Sequence, residues 1–305
     1  MTSYVITKST FALVVILGAA TCCFLLLHAI PGDPAEALAG PQATQEDVQH
    51  LRVSLGLDRP VVVQYGIYMR NLIRGDLGRS YRTNRPVSEE ITSRWPATFS
   101  LSLTSLLVAV SVGVPLGVVA AVRRRTWLDT GSMVGSLVGV SMPSFWLALI
   151  LIIIFSVKLK LLPFVGRDNP ASYILPSLTL GLGVAANIAR LTRASMLDVL
   201  GQDYIRTSRA KGLSGLRILY VHALRNASIP IVTIVGLQMG SLLGGQVVTE
   251  TVFSWPGVGR LIVDALLTRD LLLVQGGVLV LALTFAVMNL LTDLAYGVLD
   301  PRIRF

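Results

Sequence analysis

The chain has 305 residues, of which 53% are hydrophobic and only 14% are charged. Soluble domains carry about 25% charged residues, so this composition excludes an ordinary soluble protein and indicates a membrane protein. The formal net charge of +9 does not indicate nucleic-acid binding, because the excess of Lys and Arg lies in the short segments assigned below to the cytoplasm, as the positive-inside rule describes.

The N-terminal region, residues 1–30, contains the first predicted membrane span. A short cytoplasmic tail, residues 1–8, precedes an apolar stretch at residues 9–30. At about 1.5 Å per residue, this stretch is long enough to cross a hydrocarbon core of about 30 Å. It is longer than the apolar core of a signal peptide and lacks a small-residue cleavage site, so we expect it to be retained as a span.

Residues 31–95 form a second predicted region, on the external side of the membrane. Thr44 and Asp47 are spaced as in a capping box, and the helix that they begin ends at Gly56. A second amphipathic helix is expected after Pro60 and before Gly75. Its predicted buried side consists of Val61, Tyr65, Tyr68, Met69 and Leu72. Two interpretations stay open: these helices cap the bundle at the membrane interface, or they contact an external binding protein.

Residues 96–305 form the predicted core domain, with five further spans. The spans are residues 99–122, 130–157, 173–188, 229–248 and 271–298. Pro115 is expected to break the second span, which ends at the basic run Arg123 to Arg125. This run fixes the orientation, since short cytoplasmic loops are enriched in Lys and Arg. We therefore predict an all-α membrane protein with six transmembrane helices and both termini in the cytoplasm.

A basic island, residues 190–228, separates the fourth and fifth spans. Arg206, Arg209 and Lys211 belong outside the bilayer, because each would cost about 2.5–3.5 kcal/mol at its centre. We predict a short helix over residues 203–210, a left-handed turn at Gly212 and a second short helix after it. This arrangement predicts a docking surface on the cytoplasmic side.

Glycines recur four residues apart in three spans, as in tightly packed membrane helices. The sets are Gly113 and Gly117; Gly131, Gly135 and Gly139; and Gly236, Gly240 and Gly244. Strips of small residues let helix backbones approach closely in lipid. We therefore expect a tightly packed core, and a dimeric one.

The sequence lacks three common enzyme motifs, among them His-Glu-x-x-His and Gly-x-Ser-x-Gly. It has no phosphate-binding loop of the Gly-x4-Gly-Lys-Ser/Thr type, and its three histidines are widely scattered. We therefore do not expect this chain to act as an enzyme or to hold a metal site or a cofactor.

Five polar or soft side chains within the apolar spans are candidates for a substrate path. They are Met142, Asn187, Gln238, Asn289 and Asp293. Asn289 and Asp293 are four residues apart and share a helix face. For Asp293, the alternative is a structural contact between helices near the cytoplasmic end, and both interpretations stay open.

The basic island resembles the cytoplasmic coupling loop of ABC importer permeases, in the form found in peptide importers. The match is Arg206-Thr207-x-x-Ala210-Lys211-Gly212-Leu213 followed by His222-x-Leu224-Arg225-Asn226 and Pro230. Arg206-Thr207-Ser208 replaces the Glu-Ala-Ala that names the loop. Other matching segments include Pro31 to Ala35, Leu55 to Pro60, Gly75 to Gly78, Ser141 to Trp146, Phe253 to Gly259 and Leu299 to Arg302.

The whole chain thus resembles the B-type permease of bacterial peptide, glutathione and nickel ABC importers. The resemblance implies the type I permease fold, the bacterial inner membrane and four kinds of partner. These are a paralogous second permease, two cytoplasmic ATPase subunits that carry ATP and Mg, an extracytoplasmic binding protein and membrane lipid. The residues implied to contact the ATPase are Thr207, Ser208, Ala210, Lys211, Gly212 and Leu213.

The resemblance favours short peptides as substrate, with chelated nickel as the alternative. Ala39-Gly40-Pro41 is similar to the peptide and glutathione branch, whereas Arg193 to Val199 is also similar to the nickel branch. Two other classes remain to be tested: a secondary transporter that needs no ATP, and a membrane scaffold without an ATPase partner.

Overall fold

The computed structural model describes residues 2–29, 44–54, 56–244 and 246–299. These residues form helices and their connecting turns, with one isolated β-bridge between Arg79 and Pro86. The first seven helices are α1 (Thr2–Ala29), α2 (Gln45–Ser54), α3 (Val61–Ile73), α4 (Val87–Val122), α5 (Trp127–Ser141), α6 (Ser144–Leu151) and α7 (Ile174–Leu200). The remaining helices are α8 (Asp203–Ala210), α9 (Gly215–Arg217), α10 (Arg225–Gly244), α11 (Val247–Val252), α12 (Val258–Leu267) and α13 (Leu271–Leu299).

The described residues form six membrane spans when the bent pair of α5 and α6 is counted as one. Five are long and apolar enough to cross a bilayer: α1, α4, α7, the α9–α10 unit and α13. The sixth is the pair formed by α5 and α6, which are bent by 102° relative to each other. Six spans put both termini on one side, and the basic run after α4 assigns that side to the cytoplasm. The predicted all-helical, six-span architecture is confirmed.

The third span is not the continuous helix predicted over residues 130–157. It breaks at Met142, whose backbone is extended (φ −77°, ψ 125°), and α6 starts after Pro143. The residue before a proline is pushed out of the helical region by the proline ring, which explains the break. A π-helical stretch, Ile152–Lys158, continues α6.

Three other prolines lie inside continuous helices, and two of them correct predictions. α4 runs for 36 residues through Pro96 and Pro115, although a break was expected at Pro115. Likewise Pro230 lies inside α10, although the fifth span was expected to begin there. In a membrane bundle the carbonyl groups that a proline releases are accommodated by neighbouring helices and local adjustments, so a proline alone does not end a helix.

Three helices extend beyond the predicted spans into the cytoplasmic segments. The tail at residues 1–8 is part of α1 from Thr2 onward. α7 continues past residue 188 to Leu200, and a helical unit runs from Gly215 through π-helical Ile218–Leu224 into α10. The expected second short helix of the basic island is therefore the start of a long one. When a helix continues, its backbone N–H and C=O groups stay hydrogen-bonded within the helix. In a loop, the same groups would need other hydrogen-bond partners.

The external helices α2 and α3 form where the sequence predicted them. Each is followed by a glycine with positive φ, Gly56 at +68° and Gly75 at +75°. In α3, the side chains of Tyr65, Tyr68, Met69 and Leu72 are half-buried as expected, but Val61 is 50% exposed and does not belong to the buried side. The tyrosines of α3 pack on the outer end of α1, where Tyr65 shares a hydrogen bond of 2.8 Å with Thr21.

The centre of the bundle is the close contact between α4 and α7. A Cβ atom on Gly117 would lie 2.5 Å from the carbonyl oxygen of Ala189, and one on Gly113 would lie 2.7 Å from that of Ala185. Only glycine permits this approach. The third set behaves similarly, since a Cβ on Gly236 would lie 2.6 Å from the side chain of Thr292 in α13.

The glycines of α5 differ from the other two sets. A Cβ atom on Gly131 or Gly135 would meet nothing within 4 Å, and one on Gly139 would be in ordinary contact with Ala186 at 3.5 Å. Within the described part of the chain, this strip lines an open groove between α4, α5 and α7. The expectation of close packing thus holds for two of the three glycine sets.

Candidate coupling surface and substrate path

The predicted cytoplasmic helix forms as α8, and its two ends have clear local causes. Asp203 opens the helix, where a carboxylate interacts favourably with the helix dipole. At the other end Gly212 adopts φ +77°. The Gly212 amide donates to the Arg209 carbonyl at 3.0 Å, and the Leu213 amide donates to the Ser208 carbonyl at 3.3 Å. This pair of bonds is the Schellman motif, which depends on a left-handed residue and hence on glycine.

One fully buried side chain fixes α8 to the membrane bundle. Ile205 is 0% exposed and belongs to a cluster with residues of α4, α7 and α10, among them Val118, Met196 and Ile231. Leu213, after the turn, packs against the same cluster. Ile205 therefore links α8 to a buried cluster that three transmembrane helices share.

A polar contact holds the same helix against the start of α10. Asn226 Nδ2 donates to the hydroxyl of Tyr204 at 2.8 Å and to the carbonyl of His222 at 2.9 Å. This contact orients α8 around the anchor at Ile205.

The opposite face of α8 is open to the cytoplasm and is basic. Among the six residues implied to contact an ATPase, Thr207, Ala210, Lys211 and Gly212 are exposed, whereas Ser208 and Leu213 are half-buried. The hydroxyls of Thr207 and Ser208 donate to carbonyls of their own helix at 3.1 and 2.8 Å. The exposed face therefore combines small residues, which allow close approach, with the positive charges of Arg206, Arg209 and Lys211.

A second cytoplasmic contact, which the sequence did not reveal, joins α5 to α7. Arg193 donates to both carboxylate oxygens of Asp129, at 2.6 and 2.9 Å, and the backbone amide of Arg125 donates to Asp129 at 2.9 Å. Such a two-pronged pair is both strong and directional. It fixes the loop after α4 beside the helix that leads into α8. Asp129 and Arg193 are 64 residues apart in the chain, and no spacing pattern indicated their pairing.

On the external side, a buried carboxylate organises the short helices between the last two spans. Glu250 is fully buried in α11. It accepts hydrogen bonds from the Thr98 hydroxyl at 2.7 Å and from the Arg260 amide, at the start of α12, at 3.1 Å. A Cβ on Gly257 would overlap the Glu250 carboxylate. The Trp-Pro-Gly-Val-Gly segment noted in the sequence thus encloses Glu250, and burial raises the pKa of this carboxyl.

The five candidates for a substrate path have different surroundings. Met142 lies at the break between α5 and α6 and lines the groove beside the α5 glycines, which has a volume of about 530 Å³. Asn187 on α7 accepts a hydrogen bond from Arg190 at 2.9 Å. Gln238 is half-buried on α10. Among the five, Met142 is the one that lines this groove.

Asn289 and Asp293 contact different neighbours. The Asn289 amide oxygen lies 3.1 Å from the position of a Cβ on Gly240, so this side chain faces α10. Asp293 forms an ion pair of 2.8 Å with Lys8, which joins α13 to α1. This contact between helices favours a structural role for Asp293 over a role in a substrate path. The described residues hold no group of three or more His, Cys, Asp or Glu side chains suited to a metal ion.

Comparison with known families assigns almost the whole chain. Residues 113–305 match the family described as binding-protein-dependent transport system inner membrane component. Residues 1–102 match the N-terminal family of the same membrane components.

Full-length relatives agree with this assignment. The chain is 46% identical over 305 residues to the glutathione transport system permease protein GsiC of Escherichia coli K12, with 100% of each chain covered. The GsiC protein of Salmonella typhi gives the same identity and coverage.

Solved structures support the fold. The inward-facing MetNI methionine ABC transporter matches with a TM-score of 0.55 at 18% identity, over 68% of this chain and 95% of that chain. An amino acid ABC transporter crystallised with histidines matches with a TM-score of 0.50 at 16% identity, over 71% and 95% of the two chains. Both are importer permease folds, as the sequence predicted.

The family matches and the spans together define the class of this protein. It is a multi-pass inner-membrane permease of an ABC importer, a transport component that is not itself an enzyme and that works with ATPase and binding-protein components. The chain belongs to the binding-protein-dependent transport family of inner-membrane permeases.

Proposed function

We propose that this chain forms half of the transport path for short peptides, glutathione among them, beside a paralogous second permease. An extracytoplasmic binding protein delivers the substrate. The observation that carries this proposal is the 46% identity to glutathione permeases along the full length of both chains. Chelated nickel is the alternative substrate, because the segment from Arg193 to Val199 is also similar to the nickel branch.

ATP and Mg belong, in this proposal, to two separate cytoplasmic ATPase subunits. The chain itself has no phosphate-binding loop. The exposed face of α8 enters a groove on one ATPase, with Thr207, Ala210, Lys211 and Gly212 at the contact and Ser208 and Leu213 supporting it from the half-buried side.

The anchoring of α8 supports a mechanical role. Ile205 is fully buried in a cluster that also contains side chains of α4, α7 and α10, so a shift of α8 would disturb the packing of that cluster. The Schellman turn at Gly212 fixes the direction in which the chain leaves α8. Movement of the ATPase is thereby converted into movement of the transmembrane helices that line the path.

Transport by the reconstituted importer tests the substrate. The chain is co-expressed with its neighbouring permease, ATPase and binding protein, placed in liposomes and supplied with labelled glutathione, dipeptides or chelated nickel. ATP-dependent uptake of glutathione or dipeptides is expected. Uptake of nickel alone would show that chelated nickel, and not a peptide, is the substrate. Uptake without ATP would refute the importer mechanism.

Substitutions on α8 test the coupling role separately. Ala210→Arg places a bulky charge on the contact face, and Gly212→Pro is incompatible with φ +77° because proline holds φ near −65°. Both variants are expected to remain in the membrane but to lose ATP-driven uptake, and Ala210→Arg also to lose co-purification with the ATPase. Gln202→Arg adds the same charge just before α8 and serves as the control. Normal uptake by Ala210→Arg would refute the contact.

A further inference from the structure

The external segment between α3 and α4 ends in a tight loop, residues 79–86, which we call the Arg loop. The isolated β-bridge closes its base. The Ser80 amide donates to the Arg85 carbonyl at 2.9 Å, and the Asn84 amide donates to the Ser80 carbonyl at 3.0 Å. Asn84 adopts φ +55°, a left-handed conformation that asparagine tolerates better than most residues. These contacts define the shape of the loop.

A buried carboxylate fixes the Arg loop to the start of α13. Asp270 is 2% exposed and immediately precedes that helix. It accepts hydrogen bonds from the Ser80 hydroxyl at 2.5 Å and from the backbone amides of Tyr81 and Arg82 at 3.3 and 3.4 Å. Ser80 is itself only 2% exposed. The loop is therefore held in one arrangement before any partner binds.

The tip of the Arg loop is basic and exposed. The side chains of Arg79, Arg82 and Arg85 all face solvent. Arg79 donates from its guanidinium group to a backbone carbonyl of the loop at 2.9 Å. Among the residues that the structure describes, the side chains of Arg82 and Arg85 form neither an ion pair nor a hydrogen bond. Two guanidinium groups are thus presented without an acidic partner.

The carboxylates near the loop have other contacts. Asp76 accepts a hydrogen bond from the amide of Gly78 at 2.9 Å. Glu89 and Glu90 lie in the first turn of α4, where they interact favourably with the helix dipole. Asp270 is buried beneath the loop and is occupied by the hydrogen bonds given above. Within the described ranges, none of the four forms an ion pair with an arginine of the loop.

The Arg loop lies above the membrane surface. α4 has 36 residues and α13 has 29, so at a typical tilt of about 20° they rise about 50 and 40 Å. The hydrocarbon core is about 30 Å thick, and the headgroups add about 5–8 Å on each side. Because both helices reach the cytoplasmic side, their outer ends lie about 20 and 10 Å above the outer edge of the core. The loop connects these two ends and therefore faces the external solution.

These properties fit a soluble partner with an acidic surface. Arginine binds carboxylates through two parallel hydrogen bonds and is enriched in protein interfaces. A loop that is already fixed loses little conformational freedom on binding. Importers of this family work with a binding protein on the external side, which is a soluble component at the correct height. Lipid headgroups lie below the loop.

We propose that Arg82 and Arg85 dock an acidic patch on the extracytoplasmic binding protein. The sequence left open whether the external region, residues 31–95, contacts such a protein, and the Arg loop is the part of that region that makes the contact. The inference rests on the proposed function in taking a binding protein as the partner, but not on which substrate is carried. Exposed charges of this kind act mainly on the association rate and its salt dependence.

Binding of the purified binding protein to the assembled importer tests the Arg loop. The importer is placed in nanodiscs of phosphatidylcholine, which contain no anionic lipid, and the association rate and Kd are measured by biolayer interferometry at low and high salt. The double variant Arg82→Glu/Arg85→Glu is expected to bind about tenfold more weakly at low salt, mainly through slower association, and to lose the salt dependence of the wild type. Arg82→Lys/Arg85→Lys keeps both charges and should bind within about threefold of the wild type.

Lys158→Glu is the matched control, because it makes the same charge change at an exposed position at the outer end of the third span. It should leave Kd unchanged. Equal affinity of the wild type and the Glu double variant, or an equal loss in Lys158→Glu, would overturn the proposal. Loss of the second permease from the double-variant assembly would show that the loop joins the two permeases, and would also overturn it.

Uptake by the same preparations separates this inference from the proposed function. At saturating binding protein, the Glu double variant should transport at the wild-type rate, because the loop acts on docking and not on coupling. Unchanged affinity together with normal peptide uptake would remove only the Arg loop. A wild-type importer that shows the expected binding but takes up no peptide would support the loop and refute the proposed substrate.

Discussion

The contact between α4 and α7 predicts that one methyl group at Gly117 destabilises the permease. In Gly117→Ala the new Cβ would lie 2.5 Å from the carbonyl oxygen of Ala189 and 2.6 Å from Cβ of Thr192. Because a backbone carbonyl cannot rotate away, the two helices must separate. Overpacking of this kind costs about 1–3 kcal/mol, and the backbone clash favours the upper end.

Part of that cost is recovered, because alanine is a better helix former than glycine by about 1 kcal/mol. We therefore expect a net loss of about 2 kcal/mol, which lowers the unfolding midpoint by about 4–8 °C. Gly131→Ala is the matched control, since a Cβ there meets nothing within 4 Å and only the helix-propensity gain remains.

Thermal unfolding of the purified chain in detergent, followed by circular dichroism, measures the difference. Gly117→Ala is expected to unfold at a lower temperature than the wild-type chain, and Gly131→Ala at the same temperature or a slightly higher one. If the two variants unfold together, the α4–α7 contact is not as close as described, and the reasoning fails.

Three further predictions concern the anchor of α8 and two buried residues, Glu250 and Trp255, on the external side. Ile205→Ala should weaken the attachment of α8 to the bundle by about 2–5 kcal/mol, which should appear as faster proteolysis near residue 205 and lower uptake. The control Arg209→Ala, at an exposed position, should not accelerate proteolysis. Equal cleavage rates in the two variants would contradict the role of Ile205 as an anchor. Burial raises the pKa of Glu250, so the folded state holds this proton more tightly than the unfolded chain, and the stability contributed by protonation is lost as pH rises through the folded pKa. The unfolding midpoint of the wild-type chain should therefore rise relative to that of Glu250→Gln as pH is lowered. A difference between the two midpoints that does not change with pH would refute the raised pKa of Glu250. Trp255→Phe removes a buried hydrogen bond of 2.9 Å to the carbonyl of Ala97, so the midpoint should fall by an amount equivalent to about 1–3 kcal/mol, measured by the same thermal unfolding, and an unchanged midpoint would count against that bond.

Helix α8 was predicted correctly from local sequence alone. Its start at Asp203, its end at Ala210 and the left-handed turn at Gly212 were all predicted, and all are present. Each depends on residues within one or two helical turns: a carboxylate near the helix start and a glycine at the only position that needs positive φ. The spans follow from local sequence for a similar reason, since the hydrophobic free energy of a 20-residue segment is nearly a sum over its residues.

The effect of each proline required the tertiary structure. Pro143 ends a helix, whereas Pro115 and Pro230 lie inside continuous helices. All three have the same local chemistry, namely a missing N–H and a steric restriction on the preceding residue. Whether a helix continues depends on how neighbouring helices accommodate the released backbone groups, and those neighbours are distant in sequence.

The sequence by itself determined the membrane class, the six spans, their orientation, the cytoplasmic helix and the family resemblance. The tertiary structure alone decided which glycines are indispensable and which polar residues pair. Gly117 and Gly131 are alike in sequence, but one touches a backbone and the other faces open space. Asp129 pairs with Arg193, 64 residues away. Hydropathy and helix ends arise from short-range interactions, whereas close packing and buried pairs depend on which helices become neighbours, and no spacing along the chain encodes that choice.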